Sequence, residues 1–163
     1  MTKKANIKLK LSDEERKKLR RNKVKIKELV DFAVDEIETI LAVPLSRAQE
    51  IKALAEFQMV PSIGIKFAED LLFLGYHSLE ELQAQDGAKL VEAYELKKGY
   101  WIDSCVEDQF RLVVHFANHA DYTKNWWDFT AERKAYRAKN GYPANRPQAA
   151  WHEVVGINRK IKD

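Results

Sequence analysis

"MVPSIGIKFAED", residues 59–70, sets a proline and a glycine three positions apart between two stretches that read as helix. Before it runs "RAQEIKALAEFQ"; after it "IKFAEDLLFLG" places Phe67, Leu71 and Leu74 on one helical face and ends at Gly75. Pro61 fixes φ for the i+1 position of a tight turn. Gly64 lets the backbone approach a ligand, and the first amides of the next helix have no intrahelical acceptor. A helix N-terminus of this kind holds a phosphate without reading a base. Lys66 adds a positive charge at the same place.

The rest of the chain punctuates in the same helical idiom. Ser12 with Glu15, Ser46 with Gln49 and Ser78 with Glu81 are capping-box patterns. Val30, Val34, Ile37 and Leu41 fall at helical spacing and predict one helix through "LVDFAVDEIETILA". "GAKLVEAYELKKG" predicts a helix closed by Gly99. "DSCVEDQFRLVVHFANH" predicts a longer one capped by Asp103, with Val106, Phe110, Val113 and Val114 inward. A further helix near 130–139 ends at Asn140-Gly141, and the final stretch reads as irregular, basic and aromatic. No segment alternates with period two, so the expected class is all-α.

With 163 residues, 45% apolar and 33% charged, the chain has the size and composition of one soluble domain. No apolar run reaches the roughly 20 residues that span a bilayer, and "MTKKANIKLK" lacks the apolar stretch of a signal peptide. A single cysteine, Cys105, suits a reducing interior, so the expected location is cytoplasmic. The net charge of +3 conceals segregation. Residues 1–27 hold twelve Lys/Arg against three acids (+9), residues 28–132 hold eight against twenty (−12), and residues 133–163 hold eight against two (+6). Basic flanks around an acidic body are a common device for binding polyanions; they also suit solvated tails. The organisation expected is a basic arm at 1–27, a helical domain at 28–120, and a Trp-rich basic extension at 121–163.

Two helices joined by the pattern at Val60, Pro61, Ile63, Gly64, Lys66 and Ala68 resemble the helix-hairpin-helix motif. "VPLSRAQEI" at 43–51 is a shorter, glycine-free echo of it. The resemblance implies a tandem helix-hairpin-helix core with a degenerate first hairpin, two units about a pseudo-twofold axis, and additional C-terminal helices. One position departs from the motif: its first glycine is Ser62 here, at turn position i+2, where a positive φ costs an L-residue about 1 kcal/mol. The stretches "ALAEFQMVPSIGIKFAEDLLFLGYHSLEEL", "GAKLVEAYELKKGYWIDSCVEDQFRLVVHFANH" and "NWWDFT" further resemble the bacterial pathogenicity-locus family over roughly residues 30–130. Its members are often named mitomycin-resistance proteins. That resemblance implies a DNA-binding helix-hairpin-helix domain without an assigned activity.

Catalytic signatures are absent from the sequence: there is no phosphate-cradling glycine loop, no ordered Ser-His-Asp set and no paired carboxylates. His115 and His119 have a metal-compatible spacing, and Asp121 follows, but Cys105 lies nearly three turns away. These are read as packing and surface residues, with no metal, cofactor or enzymatic activity expected. Cys105 near a helix N-terminus would acquire a lowered pKa, which its neighbours Asp103, Glu107 and Asp108 oppose. Trp101, Trp126, Trp127 and Trp151 either pin loops to the core or stack on bases; pinning is the reading adopted for "NWWDF". Tyr136, Arg137, Tyr142, Arg146 and Trp151 form a second candidate nucleic-acid or partner surface.

The function expected is therefore non-enzymatic, sequence-independent DNA binding, linked by the family naming to DNA-damage tolerance. Ser62, Ile63, Gly64, Ile65 and Lys66 would grip phosphates, with Lys17, Lys18, Arg20, Arg21 and Lys23 of the arm supplying attraction. The alternative is a protein-interaction module whose hairpins are purely structural and whose acidic body docks a basic protein partner. No membrane partner is expected.

Overall fold

Ser12 opens the first helix, α1 (Asp13–Arg21), by accepting the Glu15 amide at 3.1 Å, while the Glu15 carboxylate accepts the Ser12 amide at 2.8 Å. The structure, a computed structural model, describes residues 6–160, with side chains described through Val155. Lys3 and Lys4 of the basic arm fall outside the described residues. After α1 come a 3-10 turn (Ile26–Asp31), α2 (Val34–Leu41), α3 (Leu45–Phe57) and α4 (Ile65–Phe73). A short 3-10 turn (Glu80–Leu82) leads into α5 (Gly87–Lys98) and α6 (Ser104–His119). A third 3-10 turn (Trp126–Phe129) precedes α7 (Thr130–Asn140) and α8 (Trp151–Lys160). The described residues contain no strand, only an isolated bridge between Trp101 and Ala150. The fold is all-α.

Three sequence expectations are corrected. The helix anticipated through Val30 and Leu41 is broken at Phe32 and Ala33, both extended. A continuous helix with Val30, Val34, Ile37 and Leu41 inward would turn Leu29 and Phe32 away by roughly 100° or more. The break instead buries Leu29 completely and packs Phe32 on the core. Ser46 does not cap α3: Pro44, with φ −61° and ψ 155°, is itself the N-cap, and its carbonyl accepts the Arg47 and Ala48 amides. The irregular C-terminal stretch contains α8, whose approach is fixed by Trp101 N–H donating to Ala149 O and Trp151 N–H to Trp101 O, each at 2.9 Å.

The core gathers on α3 and α6. Ala48, Ile51, Ala53, Ala55 and Phe57 are essentially inaccessible on α3, as are Phe110, Leu112 and Val113 on α6. Phe67 and Phe110 meet edge to face at 4.8 Å and join α4 to α6. The chain turns at both ends of α3, through Ala42–Pro44 and Gln58–Gly64, so the two Val-Pro turns share one helix rather than each bringing its own pair.

The C-terminal part of the charge segregation resolves into internal pairing, and the N-terminal segment is anchored by packing and main-chain contacts. In the N-terminal segment Leu9 and Leu19 are buried, Lys8 exchanges two main-chain hydrogen bonds with the Gln58 side chain, and Arg47 forks onto Glu15 at 2.9 and 3.0 Å. In the C-terminal segment Arg133 pairs with Asp108 at 2.6 Å, Arg137 with Glu107 at 2.8 Å and Glu92 at 3.1 Å, and Arg146 bidentately with Glu95. Asp108, Glu107 and Glu95 are buried, so these arginines compensate carboxylates that water cannot reach.

Candidate functional site

The seven residues between α3 and α4 form a tight turn. Ile63 N–H donates to Val60 O at 3.2 Å, and Ser62 takes φ 63°, the positive angle that the i+2 position of a type II turn requires. Val60 and Ile63 are buried beneath it. Ile63 therefore supports the turn, with its amide already bonded, and does not face solvent.

Gly64 is the N-cap of α4, with an extended backbone (φ −105°, ψ −175°) open to any residue. A Cβ placed there would meet nothing within 4 Å. Gly75, Gly99 and Gly141 occupy positive φ, and Gly87 lies so close to Arg111 that a Cβ would come within 2.8 Å of its backbone. Gly64 has neither constraint. No side chain caps α4, and its first bonded amide is that of Ala68, to Gly64 O at 3.1 Å. The amides of Ile65, Lys66 and Phe67 have no acceptor among the described residues, and Lys66 is exposed beside them. The other helices with an Asp or Ser immediately before them, α1, α5 and α6, bond that side chain to their own amides.

The two acids that follow are both engaged. Glu69 lies 2.8 Å from Lys10 Nζ. Asp70 accepts the Tyr94 hydroxyl at 3.1 Å, and burial pushes its carboxyl up to about 6. Two clefts meet at Gly64. One, of about 600 Å³, has Lys8, Lys66, Asp70 and Gln109 in its wall; the other, of about 380 Å³, lies against Met59, Ser62, Tyr122 and Asn125.

The candidate residues read from the sequence divide into two places. Ser62, Gly64, Ile65 and Lys66 are together. Lys17, Lys18, Arg20, Arg21 and Lys23 ride on α1 and the turn after it, and α1 is held near the other end of α3 by Glu15–Arg47 and by Asn22 Nδ2 on Ile40 O. Thirteen residues of α3 put roughly 20 Å between the two ends. The basic residues actually beside the hairpin include Lys8, whose neighbour Gln58 is fifty positions away in sequence; no local pattern signals it.

In the C-terminal candidate surface, Arg137 and Arg146 face buried acids, and their guanidinium groups lie over Tyr142 at 4.3 and 3.6 Å. The four tryptophans do not behave alike: Trp126 packs against the core, whereas Trp127 is 55% exposed. His115 Nε2 pairs with Asp121 at 3.0 Å, and no group of three or more metal-ligating side chains is assembled among the described residues. Cys105 is pushed up to about 11, chiefly by burial and then by its bond with Asp103, away from thiolate reactivity. No helix among the described residues is long and apolar enough to cross a membrane.

Compared with known proteins, no curated protein and no solved structure matches the chain. A family model described as Pathogenicity locus matches residues 50–135, from α3 through the hairpin and α6 into α7. That match covers more than half of the sequence, and the chain belongs to the pathogenicity-locus family.

Proposed function

We propose that the chain is a non-enzymatic, sequence-independent DNA-binding protein that uses the turn at residues 60–64 as a helix-hairpin-helix contact. The observation that carries this reading is Gly64: neither conformation nor packing demands a glycine there, yet it leaves the α4 amides bare and approachable. A phosphate oxygen is the acceptor such amides lack. Lys66 and Lys8 supply positive charge at the same opening, and the pairing of Glu69 with Lys10 and of Asp70 with Tyr94 reduces the repulsion those acids would exert. The mitomycin-resistance name that the family resemblance brings with it supports DNA-damage tolerance as the setting.

A second reading is favoured by one contact. The Ser62 hydroxyl already accepts the Trp126 amide at 3.0 Å, as it would if the hairpin were a packing element in a protein-interaction module. A salt titration of binding to duplex DNA separates the two. The DNA reading expects log K to fall linearly with log salt, by about 0.9 per phosphate neutralised, and both Gly64→Glu and Lys66→Glu to weaken binding to every sequence alike. Unaltered binding by both variants assigns the hairpin to the packing role.

A further inference from the structure

We infer that the hairpin takes DNA carrying unpaired bases in preference to intact duplex, with Trp127 as the platform on which an unpaired base stacks. The inference rests on the hairpin reading above and adds the class of DNA.

Trp126 and Trp127 share one 3-10 turn but have opposite surroundings. Trp126 packs on the core together with Phe129, while Trp127 leaves more than half of its surface in water. A fold that needed only to pin this segment has already done so with Trp126, Phe129 and Tyr122, the last edge to face with Phe116 at 5.0 Å. The ring of the exposed indole stands against Trp126 at 5.5 Å and 82°, and the Trp126 amide is bonded to Ser62 Oγ. One peptide unit, about 3.8 Å of chain, therefore separates Trp127 from the residue that touches the hairpin. The nearer cleft opens between Ser62 and Gly64 on one side and Tyr122 and Asn125 on the other.

The choice of a nucleic acid over a protein surface follows from the hairpin reading, and the charges around the indole are of both signs. Lys124 is exposed two residues before Trp126, and Lys66 is exposed across the turn. The acids of the segment keep their charge: Asp128 is exposed and accepts the Asn125 amide at 2.8 Å, and Asp121 is held ionised by Thr123 and His115. An exposed aromatic one residue from the Ser62 contact, in a segment that also carries Lys124, suits a base attached to its own phosphate. Stacking needs an exposed π-face, which a base inside an intact duplex does not offer, whereas a single strand, gap or frayed end does.

The test measures binding of the full chain, Trp127→Ala, Trp127→Phe and Gly64→Glu to three labelled oligonucleotides of equal length: single-stranded, gapped and fully duplex. The expected result is that Trp127→Ala loses about tenfold on the single strand and the gap, as the removal of one stacked base predicts, and is unchanged on duplex. Trp127→Phe should retain most of the affinity, and Gly64→Glu should weaken all three. Equal behaviour of Trp127→Ala and the parent on every oligonucleotide, with Gly64→Glu still damaging, overturns the stacking inference and leaves the hairpin reading standing; the indole then belongs to a protein surface. Selective loss with Trp127→Ala but none with Gly64→Glu overturns both, because the aromatic would then act without the hairpin.

Discussion

The Ser62 hydroxyl accepts the main-chain amide of Trp126 at 3.0 Å, across sixty-four residues of chain, and donates to Pro61 O at 2.6 Å. One side chain therefore couples the hairpin to the aromatic segment and helps fix a turn whose backbone would favour glycine. Ser62→Gly relieves the positive φ, worth about 1 kcal/mol, but abandons a hydrogen bond of about the same value; chemical denaturation should show little net change. Ser62→Ala keeps the strained backbone and loses the bond, so it should be the less stable of the two by about 1 kcal/mol.

Gly64 offers a way to separate stability from binding. Serine is a preferred N-cap in the extended conformation Gly64 already has. Gly64→Ser should hold or raise the melting temperature by capping α4 internally, while weakening DNA binding because the amides acquire their own acceptor. A variant that is both as stable as the parent and as tight on DNA would show that those amides are not the contact.

Asp70 gives the fold a pH dependence of known sign. Its carboxyl is raised by burial from 3.8 to about 6, so between those values the folded state holds a proton that the unfolded chain has released. Stability from this group should therefore rise as pH falls from about 6 towards 4, opposite to the usual carboxylate. Denaturation midpoints across that range should follow this slope in the parent and lose it in Asp70→Asn. Glu15 acts in the other direction: its bond to Arg47 lowers it from 4.5 to about 2, a contribution present above 4.5 and lost as pH falls through about 2.

Arg137 should matter to folding. Its guanidinium is bonded to Glu107, Glu92 and the Gly141 carbonyl, and Glu107 is buried. Arg137→Ala leaves buried Glu107 with Arg111 as its partner and removes the charge-assisted bonds to Glu107 and Glu92, which should cost about 2 kcal/mol, read as a lowered denaturation midpoint. Lys134→Ala, on the exposed side of the same helix, should cost less than about 0.5 kcal/mol.

Local chemistry made much of the architecture legible. Ser12 and Asp103 cap as their side chains require, Gly75, Gly99 and Gly141 end helices with positive φ, and Pro61 and Ser62 shape the turn as a type II geometry demands. The break at Phe32 was hidden because Val30, Val34, Ile37 and Leu41 repeat at 3.6-residue spacing, while the burial of Leu29 depends on the surface it meets.

The candidate site divides along the same line. The sequence by itself determined the hairpin, its glycine and Lys66, because turn geometry and helix ends are properties of a few adjacent residues. Only the tertiary structure decided which charges accompany them. It carried Lys8 to the larger of the two clefts and Lys10 to Glu69, and it held the α1 cluster near the far end of α3. It also committed Arg133, Arg137 and Arg146 to buried acids and left Trp127, but not Trp126, in solvent. Counts of charge along a chain carry no information on partners fifty residues away, and a buried carboxylate recruits the nearest arginine whatever the run it came from.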